Sequence, residues 1–76
     1  MRFFCVGDED AVRGFRLAGV EGRAVSGPAE AGAALREAAA LEDCAVLIIT
    51  RAAADMARAA VDEIRLERAR PLIVEV

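Results

Sequence analysis

The segment Cys44-Ala-Val-Leu-Ile-Ile-Thr50 constrains the fold more than any other. Its apolar residues follow one another without polar alternation, which fits a strand buried on both faces. Such a strand belongs in the middle of a sheet that carries helices on both sides. The rest of the chain must therefore supply helices between strands, and its pattern does so.

Arg2–Gly7, "RFFCVG", reads as a strand ended by Gly7. Asp10 is the expected N-cap of a helix over Ala11–Ala18, with Gly19 as its C-cap. Residues 20–25, "VEGRAV", form a weak strand with Glu21 and Arg23 on one face and Gly22 interrupting the other, as in a protected edge. Ser26-Gly27-Pro28 is a turn that places Pro at the first helical position. A helix over Ala29–Leu41 follows, with Ala31, Ala34, Leu35, Ala38 and Leu41 on one face. A third helix, Ala52–Arg68, carries an Ala53-Ala57-Ala60-Ile64 stripe bordered by Met56 and Val61. Its other face carries Asp55, Arg58, Asp62 and Arg65 at ion-pair spacing. Pro71 opens a last strand, "LIVEV", over 72–76.

The expected fold is a three-layer αβα arrangement of one domain over residues 1–76. It has a four-stranded parallel sheet in doubly wound (flavodoxin-like) order 2-1-3-4 and three helices. Right-handed crossovers put the first helix alone on one face and the other two on the opposite face. One short helix cannot cover four strands. Apolar sheet surface is expected to remain bare beside it, and such a patch calls for another polypeptide or a further C-terminal segment.

Composition narrows the function. Seventy-six residues lie near the lower limit for a self-sufficient core. Neither a membrane-spanning run nor a basic-then-apolar leader is seen, so a soluble cytoplasmic protein is the default. The net charge of −3 with interspersed signs argues against nucleic acid, as do Phe3, Phe4 and Phe15 as sole aromatics. The chain has no His, Lys, Tyr, Trp, Asn or Gln, one Ser (Ser26) and one Thr (Thr50). That removes most general bases and any Ser-His or Cys-His pair, which makes an enzyme the least favoured reading. Arg as the only basic residue fits either a thermophile or a GC-rich genome. Cys5 and Cys44 match no zinc spacing and read as buried reduced thiols, ahead of a disulfide.

"GDEDAVRGFRLAG", residues 7–19, is the most distinctive stretch. Acids after a first strand suggest a phospho-receiver site, but no Asp ends the third strand and no Lys exists to complete one. A thiol phosphocarrier fails because Cys5 lies too early and the loop is acidic, and no G-x-G-x-x-G follows the first strand. Asp8, Glu9 and Asp10 are then helix-capping acids that favour the dipole. No cofactor or metal is expected there. Ala11, Val12, Phe15 and Ala18 share the sheet-facing side, while Leu17 lies ~200° round from Phe15, beside Arg13 and Gly14. A glycine in mid-helix gives up ~1 kcal/mol and allows close backbone approach, to the sheet or to a partner helix.

"VGDEDAVRGFRLAGV", with "LIIT" ending the third strand and "PLIVEV" the fourth, resembles the F subunits of the V-type (A-type) ATPase/synthases of archaea and some bacteria. The similarity runs through the whole chain in order. It implies a non-catalytic central-stalk component that binds the coiled-coil D subunit and rotates with it inside the catalytic A/B ring. It also implies a place in the V1/A1 sector, cytoplasmic and peripheral to the membrane. Members carry a C-terminal helical tail thought to touch the D subunit and the ring, and Val76 stands where that tail would begin. The residues expected to meet the D subunit are Arg13, Gly14, Arg16 and Leu17, with the edge strands as a rival surface. The competing reading is a stand-alone ligand- or cation-binding regulatory module with Asp8, Asp10, Thr50 and Arg51 at the strand ends.

Overall fold

The computed structural model describes residues 1–76, in the order β1 (Arg2–Gly7), α1 (Glu9–Leu17), β2 (Glu21–Ala24), α2 (Pro28–Ala40), β3 (Cys44–Ile49), α3 (Arg51–Met56), α4 (Arg58–Glu67) and β4 (Leu72–Glu75). All four strands are parallel and their order is β2-β1-β3-β4. The register sets Phe4 beside Leu47 and Leu47 beside Ile73, so β3 is central as its unbroken apolar run requires.

Side-chain alternation divides the strands between two faces. Val6, Leu47, Ile49 and Ile73 point to one side and join Ala31, Ala34, Leu35 and Ala38 of α2, Ala53 and Ala54 of α3 and Ala60, Val61 and Ile64 of α4. That cluster of sixteen buried residues is the main core. Its abundance of alanine lets the helix backbones lie close to the sheet. On the other side α1 buries Val12 and covers Cys5. Gly22 of β2 is needed here, because a Cβ would stand 2.9 Å from the Cys5 carbonyl oxygen and collide with its sulfur. The glycine that looked like an interruption of an edge strand is what lets Cys5 and Val12 pack beneath α1.

Two expectations are corrected. The third helix, expected to run unbroken over 52–68, is two helices, so the structure has four helices and not three. The break is at Ala57 (φ −131°, ψ 39°), with no Gly or Pro nearby. Its setting is tertiary: Arg58, the first residue of α4, reaches the end of β4 with 2.6 Å and 3.1 Å hydrogen bonds to the two carboxylate oxygens of Glu75. The second correction is at the first helix, which begins before Ala11; of the acids expected to cap it, the N-cap is not Asp10.

Candidate functional site

The N-cap is Asp8. Its Oδ1 accepts a hydrogen bond from the Ala11 N–H at 3.1 Å, and its backbone is extended as an N-cap requires. Asp10 is not the cap; it already lies inside the first turn and pairs with Arg13 at 3.3 Å. The cause is that Gly7 closes β1 and the helix starts at once, leaving no loop for Glu9 and Asp10 to occupy. Both remain in the first turn, where negative charge suits the helix dipole. At the other end Gly19 has φ +89° and follows the C-cap residue Ala18. The Gly19 N–H donates to the Arg16 carbonyl and the Val20 N–H to the Phe15 carbonyl, each at 2.9 Å. This is a Schellman termination, and its left-handed position favours glycine.

Between those ends α1 presents the four residues expected to dock. Arg13, Gly14, Arg16 and Leu17 are all exposed, Leu17 to 87%. Arg13 is held towards Asp10, and Arg16 leans over the β2 edge, where its Nη2 donates to the Gly22 carbonyl at 3.4 Å. Gly14 has open space where a side chain would project, so packing on the sheet is not the reason for it. Phe15 and Ala11 are half-buried, and Ala18, expected to pack, is exposed because the helix is already ending there.

Beside α1 the sheet is bare. Phe3 is 41% exposed, Leu72 63%, Val74 38% and Val76 56%, and Val46 and Ile48 between them are partly exposed. The register makes them one patch: Phe3, Val46 and Leu72 lie side by side, as do Cys5, Ile48 and Val74. The topology predicted an uncovered face but did not say which residues form it. Every residue of "LIVEV" except Glu75 is apolar, so the parity of β4 could be read only once Ile73 was known to face the core.

The polar groups elsewhere serve the fold. Thr50 Oγ1 caps α3 by accepting from the Ala53 N–H at 3.2 Å, and Asp8 caps α1. Thus two of the four residues at the strand ends are taken up locally. Asp8, Glu9 and Asp10 line an open cleft with Ser26 and Glu30. Hydrogen bonds from the Ser26 hydroxyl and N–H hold the Glu30 carboxyl below its usual range. No group of three or more carboxylates and thiols is arranged to hold a metal ion. Burial pushes both the Cys5 and Cys44 thiols up, so each is a poor nucleophile. Both are free thiols.

Capping acids, inert thiols and an apolar surface beside one short helix define a small α/β domain with an uncovered sheet face. Residues 4–76 match the model of the ATP synthase (F/14-kDa) subunit, and the chain belongs to that family. It is a stalk component of a multi-subunit ATP synthase and not a catalytic one. The crystal structure of the F subunit of the V-type ATP synthase from Archaeoglobus fulgidus is similar to this chain at a TM-score of 0.83 and 26% identity. The match covers 99% of this chain and 95% of that one. No curated protein sequence matches. No helix is long and apolar enough to cross a membrane.

Proposed function

We propose that this chain is the central-stalk component that binds the coiled-coil D subunit and helps couple ATP turnover to rotation and ion transport. The outer side of α1 carries this reading. It combines a highly accessible leucine, Leu17, with a glycine, Gly14, that no internal contact explains. A mid-helix glycine facing open space lowers helix stability, which is reasonable where another helix must come close. Arg13 and Arg16 flank the contact and can turn from their intramolecular partners to carboxylates on the stalk partner, since exposed pairs of this kind are weak.

Size-exclusion chromatography of the chain with its cognate D subunit tests this. A one-to-one complex is expected, weakened by Leu17→Ala with no change in melting temperature. Separate elution of the two chains would refute the reading. A Leu17→Ala protein that melts early yet binds normally would remove α1 from the contact.

A further inference from the structure

The two sheet faces are covered unequally, and the uncovered part has a definite shape. α1 lies over β1 and β2, leaving β3 and β4 bare together with Phe3 at the start of β1. Two strands span about 10 Å, the width of one α-helix. From Leu72 to Val76 the slot is about 13 Å long, equal to roughly nine residues of helix. Its floor is Phe3, Val46, Ile48, Leu72, Val74 and Val76, with no charged side chain among them. α1 forms one wall, with Phe15 and Ala11 on the side towards Ile48 and Thr50. By helical geometry Gly14 lies at the top of that wall.

Area decides what fits. The four most exposed floor residues are each only part-exposed, and together they leave well under the ~800 Å2 that each partner buries in a stable interface. A second copy packed face to face would therefore be too weakly held by this patch alone. One helix crossing the slot and rising over the α1 wall would add the surface around Gly14 and Leu17. It would also complete the layer that the doubly wound fold leaves half-built.

We infer that the slot formed by β3, β4 and the inner side of α1 seats one α-helix of the coiled-coil stalk partner, in contact with Phe3, Leu72, Val74 and Val76. This rests on the D-binding reading above and adds to it a surface, a single-helix footprint and a chemistry. The seated helix presents an outward apolar stripe at i, i+3/i+4 and i+7 over two to three turns, without charge at its centre. Gly14 then has a purpose: its bare backbone lets that helix pass close to α1.

Calorimetric titration of the D subunit into the chain tests the inference with Val74→Glu and, independently, Leu72→Glu. Leu66→Glu is the control, since Leu66 is also solvent-exposed but lies on α4, across the sheet. Binding weakened on the order of tenfold or more by each slot variant, with unchanged melting and an unaffected Leu66→Glu control, is expected. If wild type binds the D subunit and Leu17→Ala weakens it while both slot variants bind normally, the slot is not the seat, although the D-binding reading stands. If wild type does not bind it, that reading falls and the inference with it. A self-associated chain that becomes monomeric in Val74→Glu would assign the slot to a second copy. Tighter binding by a slot variant would assign it to a segment that competes with the stalk partner. Either result overturns the inference.

Discussion

The two faces of the sheet are built from the same strands and nearly the same residue types, yet they behave oppositely. On the face under α2, α3 and α4, Val6, Leu47, Ile49 and Ile73 are buried within the main core. One position along the same strands, Phe3, Leu72, Val74 and Val76 meet solvent beside α1. Hydrophobicity does not distinguish them; helix coverage does. Apolar residues on the first face hold the fold together, whereas those on the second are available to another chain.

Substitutions should separate these roles. The largest effect is expected in the covered core, where Leu47→Ala removes a fully buried side chain and should cost about 2–5 kcal/mol in denaturant unfolding. Gly22→Ala comes next. Its new methyl collides with Cys5 and should loosen β2, at about 1–3 kcal/mol in the same measurement. Asp8→Ala should cost about 1 kcal/mol through loss of the cap, whereas Asp10→Ala should cost much less. Equal losses for the two acids would contradict the capping geometry. Gly14→Ala should stabilise the chain by about 0.5–1 kcal/mol because it relieves a mid-helix glycine without a clash. The same substitution should weaken binding to the D subunit, so stability and binding should move in opposite directions. This would sharpen the contrast between the two faces.

The smallest effect concerns pH. Hydrogen bonds from Arg58, and then from Arg65, hold the Glu75 carboxyl below its usual range. A depressed carboxyl stabilises the fold above its unfolded pKa and loses that contribution as pH falls through the folded value. The melting-temperature difference between wild type and Glu75→Gln should therefore be present at neutral pH and shrink below about pH 4. The pair is accessible to solvent, so the difference should be modest.

Much of this was legible in the sequence. The strand order follows from one unbroken apolar run flanked by alternating elements, and the buried stripe of Ala53, Ala57, Ala60 and Ile64 follows from helical spacing. The uncovered face follows from crossover handedness, before any coordinate is known. The break at Ala57 had no local signal, since neither Gly nor Pro stands near it and Asp55 and Arg58 are spaced as in a continuous helix. The cap moved from Asp10 to Asp8 because three acids in a row offer three equivalent starts, and the end of β1 selects among them. Gly22 looked like a weakness of an edge strand until Cys5 was placed against it. At the proposed docking surface the exposure of Leu17 could be read from its angle to Phe15. The slot residues could not, because four of the last five residues are apolar and parity is then invisible.

If the α1 side is the contact side of this stalk component, the stalk partner must shield it from solvent. Hydrogen exchange of the chain, free and mixed with the D subunit, measures that directly. New protection is expected over residues 11–19 and 72–76, with α2 and the outer side of α4 unchanged. Protection confined to 28–40 and 58–67, or none with the partner present in excess, would contradict it.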